Sequence, residues 1–139
     1  MTQPPRLTVV APMKNEAANV ARLAEEIGAA CDGLLPFEAV FVDDGSEDGT
    51  SEAIAAARAR FPWLRGVRHA RSCGQSAAVL SGVRAARGEI VCTLDGDGQN
   101  PPAEIPNLVR PLLADAEGRI GLVAGQRVAR QDTASKRLA

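Results

Sequence analysis

The chain has 139 residues, of which 45% are hydrophobic and 24% charged, and it carries a net charge of −1. This is ordinary for one soluble domain, which at this length buries roughly 70% of its unfolded surface. Near-neutral charge without aromatics set in a basic stripe gives nucleic acid no footing, and no apolar run approaches the roughly 18 residues of a membrane span.

In chain order, Leu7 to Pro12 reads as a short strand. Asn15 then stands as a helix N-cap, followed by Val20, Leu23, Ala24, Ile27 and Ala30 at helical spacing. Phe37 to Val42 is a second strand running into Asp43-Asp44-Gly45-Ser46. Asp48-Gly49-Thr50 opens a helix through Ile54, Ala57 and Phe61, closed by Pro62. Leu64 to His69 is a third, weaker strand. Gly74 to Ala86 is a small-residue helix with Ala78, Val79, Gly82 and Val83 on one face and Gly88 as its C-cap. Glu89 to Leu94 reads as a buried strand. Pro101 and Pro102 start a helical stretch through Leu108, Val109 and Leu112, interrupted by Pro106 and Pro111. Ile120 to Ala124 is a fifth strand, and the remainder is polar and basic.

Strands alternating with helices of about a dozen residues predict right-handed βαβ units. The expected fold is therefore α/β and Rossmann-like, a parallel sheet with helices on both faces in the order βαβαβαβαβ. Residues 1–125 form the domain and 126–139 a basic C-terminal segment. Three scattered cysteines, Cys31, Cys73 and Cys92, read as free thiols of a reducing compartment. No leader segment precedes the first strand, so a cytoplasmic location is expected.

Parallel strands deliver the residues just beyond their carboxyl ends into the ligand crevice of an open sheet. Three such ends carry polar groups that a core does not need: Pro12-Met13-Lys14-Asn15-Glu16, Asp43-Asp44-Gly45-Ser46 and Asp95-Gly96-Asp97. Each has a bland reading when taken alone. Capping accounts for Asn15 and Glu16, an Asx-rich turn for the aspartate pair, and an acidic glycine turn for the third. Their convergence on one edge is harder to explain that way. Two adjacent carboxylates are costly to bury together, so one of Asp43 and Asp44 is expected to meet a ligand or a cation. Asp95 and Asp97 sit two positions apart and point the same way in extended chain. Such oxygens suit Mg²⁺ or Mn²⁺, which bind through one or two carboxylates plus substrate phosphates. A carboxylate such as Asp44 accepts from ribose hydroxyls or a base N–H, and Arg71 with Ser72-Cys73-Gly74-Gln75 is expected beside the base. Arg127, Arg130, Lys136 and Arg137 either clamp phosphate or form a solvated tail. His69, alone near a strand end, reads as structural.

Other chemistries fit less well. A haloacid-dehalogenase-like phosphotransferase carries its D-x-D early and an acidic pair afterwards. A receiver domain has its acidic pair after the first strand. A calcium loop needs a glutamate where Pro106 stands, and a nucleotidyltransferase needs a glycine-rich loop where Met13-Lys14-Asn15 stands.

Val10-Ala11-Pro12-Met13-Lys14-Asn15-Glu16, Val42 to Ser46, Gly74 to Ala78 and Leu94 to Pro102 together resemble the inverting family 2 nucleotide-sugar glycosyltransferases of GT-A fold. The similarity is closest to the branch making polyprenyl-phosphate and dolichyl-phosphate sugars. The resemblance implies that Pro12, Asn15, Glu16, Asp44, Arg71 and Gly74 bind the nucleoside. It further implies that Asp95 and Asp97, with Gln99, hold Mg²⁺ or Mn²⁺ on the diphosphate as the catalytic pair, and that Arg127 meets phosphate. The donor would be a UDP- or GDP-linked sugar, and the acceptor a polyprenyl phosphate or other lipid at the cytosolic membrane face. Nothing speaks to oligomeric state. Ser72 stands where the family commonly has asparagine. Gly96 and Gly98 replace alanine and leucine, which predicts a slacker metal loop. Members of the family continue well past Ala139 into an acceptor-binding half, so the chain alone is expected to bind donor weakly and transfer poorly. The alternative is a donor-binding remnant without turnover.

Overall fold

The computed structural model describes residues 3–96 and 101–124. The elements are β1 (Leu7–Met13), α1 (Val20–Cys31), β2 (Phe37–Asp43), α2 (Thr50–Arg60), β3 (Leu64–Arg68), α3 (Gln75–Ala85), β4 (Ile90–Thr93) and α4 (Ile105–Ala114). Short 3₁₀ turns at Ala17–Asn19 and Pro102–Glu104 lead into α1 and α4. Among the described residues the sheet has four strands in the order β3-β2-β1-β4, all parallel.

β1 is central and buried along its length, as a parallel strand covered on both faces requires, and its near-continuous apolar run supplies that. Leu7, Val9, Ala11 and Met13 face the larger core with Ala39 and Phe41 of β2. Against them α1 lays Val20, Leu23, Ala24, Ile27 and Cys31, all at helical spacing and all buried. Ile54 and Ala57 of α2 and Ile105 and Val109 of α4 complete that layer. Cutting Leu23 or Ile27 to alanine would cost about 2–5 kcal/mol. The opposite face is covered by α3, which places Ala78 over Val40 and Val42. Gly82 lets it come close, since a Cβ there would stand 2.3 Å from Val10 Cγ1.

Several expectations need correction. Ile120 to Ala124 is not a strand: it joins no described ladder, and Leu122 is 84% exposed. Strand propensity without a paired neighbour leaves backbone groups unsatisfied, and propensity alone does not make a strand. The described architecture is therefore βαβαβαβ followed by α4. The Glu89–Leu94 segment is shorter and only half buried. Cys92 and Leu94 enter the core while Val91 on the other face is 37% exposed, as an edge strand allows. Val83 likewise points outward, because the contact stripe of α3 runs through Ala78 and Gly82. Gly88 does not cap α3, which ends at Ala85 with Ala86 as its cap. Its role is close packing, since a Cβ there would meet the Arg6–Thr8 backbone at 2.8 Å. Pro106 does not interrupt α4 but lies in its first turn, where no N–H is needed, and the helix also runs through Pro111. No described helix is long and apolar enough to cross a membrane.

Candidate functional site

The carboxyl ends of β1, β2 and β4 emerge on one edge of the sheet. There they meet the loop that opens α3 around an open cavity of about 390 Å³. β1 contributes Pro12, Met13, Lys14 and Glu16, and β2 contributes Asp44. The loop into α3 adds Ser72, Gly74 and Gln75, and β4 adds Asp95 and Gly96.

Asp43 and Asp44 are both buried, 1% and 4% exposed, and neither requires a ligand for that. The fold itself supplies the donors that offset the cost of burying them. Asp43 accepts from Ser46 N at 3.0 Å and from the Ser51 hydroxyl. Asp44 Oδ1 accepts from Cys73 N at 2.7 Å and bonds His69 Nδ1 at 2.8 Å. Its Oδ2 accepts from Gly74 N and the Ser72 hydroxyl, both at 3.0 Å. Burial pushes the Asp44 carboxyl up, but the bonds from Cys73, His69, Gly74 and Ser72 outweigh it and bring it down to about 2. The same balance holds Asp43 below its ordinary value: burial raises it, and Ser46, Ser51 and Arg68 lower it further. Asp44 is thus an ionised anchor for residues 72–74.

That anchoring depends on two glycines. Gly45 has φ +66°, and a Cβ on it would lie 2.4 Å from Ser72 N, so the two loops touch backbone to backbone. Gly74, at φ +99°, turns the chain into α3. His69 reaches from Asp44 to the Ser81 hydroxyl on α3, 2.8 Å from Nε2, which makes it a brace between the loop and the helix.

Asn15 is not the cap of α1. The chain enters a 3₁₀ turn after Glu16, and Asn15 sits in the left-handed region at φ +54°, which asparagine tolerates. Its N–H donates to Ser46 Oγ and its Oδ1 accepts from Glu47 N, both at 2.9 Å. It therefore clasps the loop after β1 to the loop after β2. Glu16 lines the cavity while its carboxylate accepts from Asn19 Nδ2 at 2.6 Å.

Asp95 is half-buried, and its Oδ1 accepts from Gln75 Nε2 at 2.9 Å. Gly96 is not slack, contrary to expectation. It is buried, and a Cβ there would meet Pro12 O and Met13 Cγ at 2.7 Å, so tight packing against β1 fixes the start of this loop. Lys14 Nζ donates to Ser72 Oγ at 3.0 Å, which puts a cation on the same cavity wall as Asp44 and Asp95.

The structure brings Pro12, Glu16, Asp44, Gly74 and Asp95 together on one cavity and leaves Asn15 and Arg71 off its wall. Asp97, Gln99 and Arg127 lie outside the described residues, as do Gly98, Arg130, Lys136 and Arg137. Lys14 and Gln75 fell within expected site loops, but their own roles, bonding Ser72 and Asp95, were not foreseen. Their signal was positional, one immediately after the first strand and the other at the first turn of α3. A divalent cation at Asp95 fits the donor set: a hard carboxylate oxygen, aimed by Gln75, faces a cavity with room for phosphate.

Compared with known proteins, residues 8–138 match the sequence model of glycosyl transferase family 2. The undecaprenyl-phosphate 4-deoxy-4-formamido-L-arabinose transferase of Pseudomonas aeruginosa is 43% identical over 133 residues, 94% of this chain and 38% of that protein. The enzyme of the same name from Aeromonas hydrophila is 46% identical over 105 residues, 74% of this chain and 32% of that one. The chain thus spans about a third of the length of these relatives. Among solved structures, a Pyrobaculum calidifontis mannosyltransferase in complex with GDP-Man and Mn²⁺ superposes with a TM-score of 0.68 at 32% identity. That match covers 83% of this chain and 34% of the other. Glucosyl-3-phosphoglycerate synthase from Mycobacterium tuberculosis, with Mn²⁺ and UDP bound, gives a TM-score of 0.63 at 28% identity, covering 79% and 40%.

Proposed function

Since the chain belongs to glycosyl transferase family 2, we propose that it forms the donor-binding part of a metal-assisted inverting glycosyltransferase. It takes a UDP- or GDP-linked sugar and serves transfer to a polyprenyl phosphate at a membrane surface. One observation carries this reading. The ends of three parallel strands and the loop into α3 meet at one cavity lined by both a half-buried carboxylate and an ammonium. The solved neighbours with GDP-Man or UDP and Mn²⁺ support the donor class. The undecaprenyl-phosphate transferases support the acceptor class. The phosphotransferase reading is set aside by the family match.

In this mechanism Asp44 shapes the nucleoside end indirectly, by holding residues 72–74 in place. Gly74 lets backbone approach the ligand, and Pro12 and Glu16 form the opposite wall. Gln75 aims Asp95, and Asp95 with Asp97 and Gln99 would hold Mg²⁺ or Mn²⁺. When bound there, such a cation would supply neutralisation of the diphosphate charge as the sugar leaves. Arg127 would meet phosphate from the basic segment 126–139, outside the 1–125 donor unit. A lipid phosphate acceptor is already anionic and needs little help from a general base. The Asp43–Gly45 and Arg71–Gly74 loops are preorganised, so donor binding pays little ordering entropy there.

Calorimetric titration with UDP- and GDP-linked sugars tests this, with and without Mn²⁺, on wild type and Asp95→Asn. The expected result is Mn²⁺-dependent binding of one nucleotide class, lost in the variant. Binding that ignores both the metal and Asp95 contradicts the assignment. Adding undecaprenyl phosphate then reads transfer.

A further inference from the structure

Behind the wall of the donor cavity, three side chains form a cluster of different chemistry. Oxygen, nitrogen and sulfur atoms of Asp44, His69 and Cys73 all lie within 4.8 Å of one another. We propose that this cluster is a binding site for a thiophilic divalent cation of the Zn²⁺ type, separate from the hard-cation site at Asp95.

The ligand set is one imidazole, one thiolate and one carboxylate, a combination that zinc takes readily and Mg²⁺ does not. Its outer support is already in place. A metal-bound histidine usually donates its other ring N–H to an oxygen, and the Ser81 hydroxyl stands 2.8 Å from His69 Nε2. Asp44 is held by Cys73 N and Gly74 N, so a cation has only to replace His69 as the partner of Oδ1. His69 Nδ1 and Asp44 Oδ1 are now 2.8 Å apart. Tetrahedral zinc spreads such a pair to roughly 3.4 Å, so the site opens by about half an ångström. Cys73 is exposed, and its thiol has only to give up a 3.3 Å bond to Arg71 O to enter, whereas Cys31 and Cys92 are buried, and burial pushes their thiols up to about 12 and about 11.

The proton count closes. From neutral His69, the Nδ1 proton is lost and Nε2 gains one, with the Ser81 hydroxyl turning from donor to acceptor. The Cys73 thiol gives its proton to solvent. Binding one cation therefore releases one proton. Because Asp44, Ser72 and Gly74 are also cavity wall, that half-ångström opening displaces the wall, and the bound cation opposes nucleotide binding. This consequence, unlike the binding itself, rests on the proposed function, and the coupling is reciprocal.

Co²⁺ serves as the spectroscopic probe on the purified chain. The expected result is a near-ultraviolet thiolate-to-cobalt charge-transfer band with intense tetrahedral visible bands, abolished by Zn²⁺ but not by Mg²⁺. Cys73→Ser should remove the band and weaken Zn²⁺ by more than roughly 100-fold, beyond the 10–100-fold typical of an outer-shell change such as Ser81→Ala. Circular dichroism of both variants controls for folding. No thiolate band, or a band that survives Cys73→Ser, overturns the site. UDP titration read separately distinguishes the two claims. A cobalt band with UDP affinity unchanged by Zn²⁺ supports the cation site and counts against the donor placement.

Discussion

Replacing Asp44 by asparagine should unfold the loop architecture of the site more than it disturbs the core. The carboxylate takes four bonds, two on each oxygen. An amide offers one oxygen. If that oxygen stays with Cys73 N and His69, the NH₂ confronts Gly74 N–H; if the amide is flipped, it confronts Cys73 N–H. One part-buried backbone donor loses its partner either way, since Ser72 and His69 can reverse their roles and the peptide N–H cannot. The ionic part follows from the carboxyl being held at about 2 against an ordinary 3.8, or about 2 kcal/mol. The bonds from Cys73 N and Gly74 N are part of that figure, so the expected loss at neutral pH stays at about 2 kcal/mol. Urea unfolding should show the midpoint falling by about 1 M. The sign with pH is fixed. A depressed carboxyl stabilises the fold above its unfolded value, and that stabilisation is lost as pH falls through about 4 toward 2. The gap between wild type and Asp44→Asn should therefore narrow over that range. A loss below about 1 kcal/mol at neutral pH, or a gap that stays constant down to pH 2, would refute the anchor.

Gly45→Ala combines a left-handed φ with a Cβ 2.4 Å from backbone that cannot step aside, and should cost about 3 kcal/mol by the same urea assay. Gly82→Ala drives a methyl into Val10 and should cost about 1–3 kcal/mol while leaving nucleotide affinity per folded molecule unchanged. Gln75→Ala frees Asp95 and should weaken Mn²⁺-dependent UDP binding by about 10–100-fold with little change in thermal stability. Equal loss of stability and binding would make Gln75 a structural residue only.

The sheet was legible because its signal is periodic. β1 and β2 are continuous apolar runs ended by polar loops, and α1 repeats its apolar residues without a break. The fifth strand was overread, because Ile120 to Ala124 has strand composition and composition does not say whether a partner lies alongside. The site was legible as a set of loops, since parallel connectivity obliges the ends of β1, β2 and β4 to share an edge. What each side chain does there was less so. Asp44 looked like a ligand contact and does line the cavity, but nothing in the sequence signalled that Ser72, Cys73, Gly74 and His69, from positions 25 to 30 residues downstream, hold its carboxylate. Asn15 looked like a cap and is a clasp, a difference set by one backbone angle. Gly96 suggested slack, whereas the space around it, invisible in sequence, leaves no room for a Cβ.

A crystal soaked with a nucleotide sugar and Mn²⁺, measured for manganese anomalous scattering, tests the central claim most directly. The account predicts a single strong peak bridging an Asp95 carboxylate oxygen and the donor's diphosphate. A peak at Asp44, His69 and Cys73 instead, or a diphosphate bound far from Asp95, would contradict it.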